Sequence, residues 1–116
     1  MRPLVHPAIE DITVEGILHA LSDPVRLRIF TDIAKSDCSQ TCSSFLNLEE
    51  RTIPKSTLSQ HFKALREAGL IRSERRGTEI QNVSRCAEID KRFPGLLAAI
   101  SSALKAQQKS KRRSVN

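Results

Sequence analysis

The sequence predicts a mainly α-helical fold that contains one β-hairpin, and three observations predict it. Apolar residues recur every three to four positions over most of residues 8–68 and again after residue 86, which is the spacing of a buried helix face. Between these regions, two short segments at about residues 70–75 and 79–84 read as paired strands joined at Gly77. The chain of 116 residues suits one core. We therefore expect one domain over residues 1–108 and a basic, disordered tail over residues 109–116.

The first half of the chain contains three predicted helices. The first runs from Ala8 to Leu21, with isoleucines and leucines on one face and acids opposite. The second begins after Ser22 or Asp23, either of which suits an N-cap, and has Pro24 at its first position. The third is short and covers "SQTCSSFLNL", residues 39–48, although serine, threonine and cysteine favour helices weakly.

The second half begins with a fourth predicted helix, from Lys55 to Ala68, and Gly69 follows it as a terminating residue. The hairpin comes next. A helical segment then starts at Cys86, and Pro94 either kinks it or begins a new helix within it. Two short helices joined by a turn and followed by a basic hairpin are the winged helix-turn-helix arrangement, in which the second helix of the pair enters the major groove of DNA.

Charge is unevenly distributed along the chain. The net charge is +6, but residues 1–50 carry −4, residues 51–76 carry +5, residues 77–104 are balanced, and the end from Lys105 onward adds +5. A basic block inside an otherwise acidic or neutral fold indicates a polyanion partner, or else a solvated basic face. The predicted helix and hairpin within the block favour DNA.

The polar face of the fourth helix has the side chains that base reading needs. Its first turns carry small hydroxyl and amide groups, which let the backbone approach the groove floor, and Gln60 can both donate to and accept from adenine. Cations flank these groups, and the arginines of the hairpin lie around its glycine turn, where they suit phosphate contacts.

These same residues carry a family resemblance. "ALSDPVRLRIF" followed by "KSTLSQHFKALREAGLIRSERRGTEIQNVS" resembles the ArsR/SmtB family of bacterial winged-helix repressors over about residues 17–84. The resemblance implies a homodimer, paired through its first and last helices, that binds an imperfect palindromic operator in double-stranded DNA and leaves it when an inducer binds. The base-reading residues are then expected to be Lys55, Ser56, Thr57, Ser59 and Gln60. The residues expected at the DNA backbone are His61, Lys63, Arg66, Arg72, Arg75, Arg76 and Thr78.

The chain departs from the family pattern at two places. Pro54 stands where the family usually has a capping serine, so the cap is expected elsewhere, for example at Thr52. The family's thiol metal site is absent, because Thr41 and Ser43 occupy its two ligand positions and Cys42 lies between them. The family's other common metal site uses carboxylates and histidines on the last helix, and the last helix has no histidine here. We therefore expect no metal site and no cofactor.

The three cysteines leave open whether the chain contains a thiol-based sensor. Cys38, Cys42 and Cys86 could together bind a trivalent metalloid, or Cys38 and Cys42 could form a reversible disulfide. Alternatively, these thiols are small packing residues, or the inducer is unrelated to them.

Other classes of function are disfavoured. No apolar run is long enough to span a membrane, and the amino-terminal residues lack the apolar block of a secretion signal, so the expected location is the cytoplasm. The chain has no glycine-rich phosphate loop and no nucleophile–base arrangement, so we do not expect an enzyme. The remaining alternative is a winged-helix module that binds an acidic protein instead of a specific DNA sequence.

Overall fold

A 3-10 helix and a short α-helix with a side-chain cap begin the fold. A 3-10 helix at Ile9–Asp11 precedes α1, Val14–Leu21, and the Thr13 side chain caps α1 by accepting a hydrogen bond from the Gly16 amide at 3.0 Å. The sequence predicted one uninterrupted helix from Ala8 to Leu21. It is interrupted because Thr13 adopts an extended conformation to cap α1.

The computed structural model describes Leu4, residues 6–35, residues 40–41 and residues 53–114, with backbone alone for residues 40–41 and 111–114. Its contacts divide the chain into two units, Met1–Arg85 and Cys86–Asn116. The first unit contains α1, α2 (Pro24–Lys35), α3 (Lys55–Glu67) and a three-stranded sheet. The second contains α4 (Cys86–Arg92) and α5 (Leu96–Ser114).

The sheet of the first unit is antiparallel and has the order β1–β3–β2, with β1 at Gln40–Thr41, β2 at Ile71–Arg76 and β3 at Glu79–Ser84. The third predicted helix, residues 39–48, is wrong at residues 40–41, because they pair with β3 instead. This segment has little intrinsic helix propensity, so a strand partner outweighs it. The rest of that predicted helix lies outside the described residues.

The helices and the sheet of the first unit bury apolar side chains from each of these elements. Leu58, Phe62 and Leu65 are buried on α3, as their spacing predicted. The other buried apolar residues of this unit are Ile12, Ile17, Ala20, Leu21, Ile29, Phe30, Ile33, Leu70 and Ile71. None of the described helices combines the length and apolar character that crossing a membrane requires.

Gly69 ends α3 and starts the turn into β2. Its φ is +83°, its amide donates to the Arg66 carbonyl at 3.0 Å, and the next amide, that of Leu70, donates to the Leu65 carbonyl at 3.0 Å. This is the Schellman pattern, and the two residues between which an apolar contact usually accompanies it, Leu65 and Leu70, are both fully buried. The prediction of a glycine stop at this position is confirmed.

The second unit begins directly after β3 and consists of α4 and α5. The two helices are separated at Phe93–Gly95, where Gly95 has a φ of +84°, so Pro94 precedes a new helix and does not kink a continuous one. α5 continues to Ser114. Most of the segment from residue 109 that the sequence suggested to be disordered is therefore helical in the described residues.

The amino-terminal segment lies against the outer edge of β2. His6 accepts a hydrogen bond at its Nε2 from the Ser73 amide at 2.9 Å, and Arg85 donates through Nη1 to the Pro7 carbonyl at 2.9 Å. Because β2 is an edge strand, its outward amides need partners or water. These two bonds attach residues 6–7 to the hairpin.

We expect Gly69→Ala to destabilise the protein by about 2–4 kcal/mol. Alanine would be strained at this positive φ, and its Cβ would lie 2.5 Å from Cγ1 of Ile12 and closer still to Cδ1. Gly77→Ala is the matched control, because its φ is +63° and nothing lies within 4 Å of an added Cβ, so only the backbone cost of about 1 kcal/mol remains. Urea unfolding measures both variants, and equal losses would contradict the close packing at Gly69.

We expect the free energy of unfolding to fall as the pH is lowered below about 6.5. Burial lowers the pKa of His6, the charges of Arg72, Arg66 and Arg85 lower it further, and Glu74 partly opposes them. A lowered pKa means that the unfolded chain binds the proton more tightly. The contribution of His6 is therefore complete above the unfolded-state pKa and is lost as the pH falls through the folded-state pKa.

His6→Gln tests this, because glutamine keeps an acceptor but does not titrate. Urea unfolding at pH 8 and pH 5 should show a smaller acid-induced loss in this variant, by about 1 kcal/mol, the usual net value of one hydrogen bond. His19→Gln, at an exposed histidine of α1, is the control and should behave as wild type. If both variants keep the full acid-induced loss, His6 does not cause it.

Candidate nucleic-acid interface

The exposed face of α3 carries all five residues that the sequence assigned to base reading. Burial of Leu58, Phe62 and Leu65 fixes the rotation of the helix and turns the opposite face to solvent. The exposed residues on that face are Lys55, Ser56, Thr57, Ser59 and Gln60. Apart from lysine, these side chains are short or of medium length, so the face can approach the edges of bases closely.

The start of α3 has no side-chain cap at the N-cap position. Pro54 occupies that position with φ −55° and ψ 140°, and its carbonyl accepts from the Leu58 amide at 2.9 Å. Thr52, the alternative cap, lies outside the described residues. Within the described part of the chain, no side chain caps the amides of Lys55, Ser56 and Thr57, so they are placed to donate to a phosphate.

The turn between β2 and β3 forms the tip of the wing. The strands pair without a bulge from Ile71↔Ser84 to Arg76↔Glu79, which leaves Gly77 and Thr78 as a two-residue turn. Gly77 has a φ of +63°, which such turns require. The residues assigned to phosphate contact on this hairpin, Arg72, Arg75, Arg76 and Thr78, are all exposed.

Two of the basic residues on this surface form weak ion pairs with acidic side chains. Arg76 Nη2 lies 3.4 Å from Glu74 Oε2, with the side chains 66% and 57% exposed, and Lys63 Nζ lies 3.8 Å from Glu67 Oε1. Exposed pairs of this kind contribute about 0–1 kcal/mol. A phosphate can therefore replace either acid at little cost.

Two residues assigned to the DNA backbone are less accessible than the sequence suggested. Arg66 and His61 are half-buried, and Nδ1 of His61 has no accessible surface and no hydrogen-bond partner among the described residues. Only the other nitrogen, Nε2, is then a candidate for a phosphate. Arg85 is 4% exposed and binds Pro7, so it holds the amino-terminal segment and does not belong to this surface.

Sequence patterns did not reveal three polar contacts that support the hairpin and the helices. Ser73 donates through Oγ to Asn82 Oδ1 at 2.5 Å inside the sheet, where both side chains are buried. The others are the bonds of His6 and Arg85 described above. The alternation of buried and exposed positions along β2 could have located Ser73, but no local signal identifies partners 67 residues apart.

The proposed thiol site is mostly outside the described residues. Cys86 is a half-buried free thiol at the start of α4, whereas Cys38 and Cys42 are not described. Among the residues that the structure describes, no group of three or more histidines, cysteines and acids is arranged to hold a metal ion.

An exposed polar helix that follows a helical pair and precedes an arginine-bearing hairpin defines a winged helix-turn-helix protein. A family model described as a helix-turn-helix domain matches residues 21–74, which span α2, α3 and most of β2. No curated protein gives a significant match to the sequence.

Three solved structures share the fold. An ArsR-like transcriptional regulator from Rhodococcus sp. RHA1 is 24% identical, with a TM-score of 0.55 and 87% of each chain covered. The ArsR family transcriptional regulator RHA00566 is 19% identical with a TM-score of 0.58, covering 85% of this chain and 96% of that one. Rv0081 of M. tuberculosis is 23% identical with a TM-score of 0.60, covering 84% and 89%. The chain is a winged helix-turn-helix protein with the fold of the ArsR-family regulators.

Proposed function

We propose that this chain is a sequence-specific DNA-binding transcriptional regulator of the ArsR family. It acts in the cytoplasm as a homodimeric repressor that binds an imperfect palindromic operator and leaves it when an inducer binds. The observation that carries the proposal is the exposed run of short polar side chains on α3, with the arginines of the wing in the same folded unit. Two of the solved structures that are similar to this chain are named as ArsR-type regulators, which supports the assignment.

The two parts of this surface have different tasks. Ser56, Ser59 and Gln60 are short or planar groups that can bond to base edges, so they select the sequence. The wing arginines and the amides at the start of α3 bind phosphates, so they set affinity and position for any sequence. A basic surface that bound an acidic protein would not need this separation.

We expect Ser56→Ala combined with Gln60→Ala to reduce preference for the operator by tenfold or more, because one good base contact is worth about 1–3 kcal/mol. Affinity for shuffled DNA should change little. The operator is first selected from random duplexes, and fluorescence anisotropy then compares it with a shuffled duplex across salt concentrations.

The matched control for this variant is Arg75→Ala combined with Arg76→Ala. It should weaken binding to both duplexes alike and reduce the slope of log affinity against log salt by about 2, since each phosphate contact contributes about 0.9. If the wild type prefers no duplex over shuffled sequence even at low salt, the protein is not a sequence-specific regulator, and a protein-binding module becomes the better interpretation.

Helix α1 of the first unit and helix α5 of the second carry the apolar surface that a homodimer needs. Leu18 on α1 is 50% exposed, and the apolar residues of α5 are only half-buried in the single chain: Leu96, Leu97, Ile100 and Leu104. A stable dimer would bury such side chains. Two copies of α3 would then read half-sites about 34 Å apart.

We expect Leu18→Glu and Leu97→Glu each to convert the dimer into monomer at micromolar concentration, because each places a charge in the apolar contact. Val83→Glu is the matched control: this valine is also exposed, at 39%, but it lies on the wing strand β3. Sedimentation velocity reports the mass of each variant. A monomeric wild type, or dissociation by Val83→Glu alone, would contradict the proposed interface.

A further inference from the structure

The segment ahead of α1 is attached to the wing at two points, and we call residues 6–12 the strap. Nε2 of His6 accepts a hydrogen bond from the Ser73 amide at 2.9 Å. Arg85, which follows β3 directly, donates through Nη1 to the Pro7 carbonyl at 2.9 Å. The guanidinium keeps its charge at every ordinary pH, so the second bond does not titrate. The first bond does, because it requires a ring nitrogen that carries no proton.

The strap holds β2 at the same level of the sheet at which β1 holds β3. Ser73 pairs with Asn82 across the hairpin, and Asn82 pairs with Gln40 of β1. His6 extends this row beyond Ser73, at the outer edge of β2. Toward the tip, the last two residue pairs before the turn have no further strand beside them among the described residues. A hairpin of two strands alone is marginally stable, so this row is the base that supports the wing.

The residues assigned to phosphate contact lie just beyond this base. Arg75 and Arg76 follow Ser73 by two and three positions and are exposed. Ser73 itself is held from both sides, since its Oγ donates to Asn82 Oδ1 at 2.5 Å and its amide donates to His6. A hairpin fixed in this way presents its arginines in one arrangement, and preorganised groups bind more tightly than mobile ones.

Cations dominate the charges that act on His6. Arg72 and Glu74 belong to β2, Arg66 belongs to α3, and Arg85 follows β3. Burial lowers the pKa of His6 from its usual 6.5, the three arginines lower it further, and Glu74 only partly opposes them. The neutral ring is therefore the form present at neutral pH, and the strap is attached in that form.

A proton on Nε2 of His6 changes this attachment in two ways. The ring then carries an N–H at both nitrogens and no longer accepts from the Ser73 amide. It also becomes a cation among the charges of Arg72, Arg66 and Arg85. The lost bond and the added repulsion both favour the detached strap.

We propose that the strap is a pH-sensitive clamp on the wing. The neutral ring of His6 fixes β2 and keeps the wing arginines placed for DNA phosphates, and a proton taken from solvent at Nε2 detaches the strap, after which the Ser73 amide donates to water. His6 is thus a positioning residue that acts on DNA through the wing. This inference rests on the proposed function and goes beyond it by making DNA affinity depend on pH.

The sign of the coupling follows from the proton count. DNA favours the attached strap, which carries one proton fewer than the detached one, so binding releases a proton and affinity falls as the pH falls. The effect of His6 is complete above its usual pKa of 6.5 and is lost as the pH falls through its lowered pKa. The loss should be about two- to tenfold for each subunit, the factor to which one hydrogen bond corresponds.

The first test does not require DNA. NMR follows the ring of His6 and the amide of Ser73 from pH 8 to pH 5, while circular dichroism reports whether the protein stays folded. Both signals should titrate with one midpoint below 6.5 in the folded protein, and the Ser73 amide should not titrate in His6→Gln, which keeps an acceptor without a titrating ring. The Leu70 amide, which donates to the Leu65 carbonyl, should stay unchanged as the internal control.

Two results of this titration would overturn the clamp. In one, the Ser73 amide keeps its chemical shift while the ring of His6 titrates, so protonation does not detach the strap. In the other, the two signals change only together with unfolding of the whole protein, so the strap has no separate detached state.

The second test measures affinity for the operator and for a shuffled duplex at pH 8, 7, 6 and 5 and constant ionic strength. Between pH 8 and pH 5, wild type and the control His19→Gln should lose about two- to tenfold more affinity than His6→Gln, for both duplexes alike, because the wing acts on any sequence. His6→Ala lacks the acceptor, so it should bind more weakly than wild type at pH 8 and then follow the profile of His6→Gln.

A merely structural role of His6 would lower the affinity of both variants at every pH and leave the shape of the profile as in wild type, and that result would overturn the proposal. So would a wild type that gains affinity at low pH relative to His6→Gln, since the charged ring would then act as an added phosphate ligand. If wild type prefers no duplex over shuffled sequence at any pH, the proposed function fails, whereas the NMR titration still decides the clamp. If operator preference is present but His6→Gln keeps the wild-type profile, the proposed function stands and the clamp is wrong.

Discussion

The end of α3 at Gly69 is the constraint on which the first unit depends. Only a residue without a side chain can take the left-handed conformation there while Ile12 packs directly against it. The turn passes straight into Leu70 and then β2, so no flexible linker separates the helix from the hairpin. The exposed face of α3 and the wing consequently have one fixed relation within this unit, which a surface that follows a rigid duplex requires.

The arginines of the hairpin and of the residue that follows it form two structural groups with different roles. The arginines at the hairpin tip are exposed, and the ion pair between Arg76 and Glu74 is weak enough for a phosphate to replace the carboxylate. Arg85 is buried and binds the Pro7 carbonyl, since a buried guanidinium must be hydrogen-bonded. Charge along the chain therefore indicates a polyanion partner, but only burial separates the cations that contact the partner from those that hold the fold.

Local signals in the sequence were sufficient to predict the helix and the hairpin that form the proposed interface. The spacing of Leu58, Phe62 and Leu65, the stop at Gly69 and the turn at Gly77 each act within a few residues. The break at Thr13 and strand β1 were missed, because weak local preferences yielded there to a cap and to pairing with β3. The bond between His6 and Ser73 joins residues 67 positions apart, a separation that no periodic pattern encodes.

The environment of His6 shows how burial and neighbouring charges assign a role to a histidine. Burial and the charges of Arg72, Arg66 and Arg85 lower the pKa of His6, so the neutral ring is favoured and accepts a hydrogen bond from the edge of β2. A neutral imidazole suits an attachment that must accept from an N–H donor. The cations around the hairpin therefore help to keep His6 in the form that attaches the amino-terminal segment to β2.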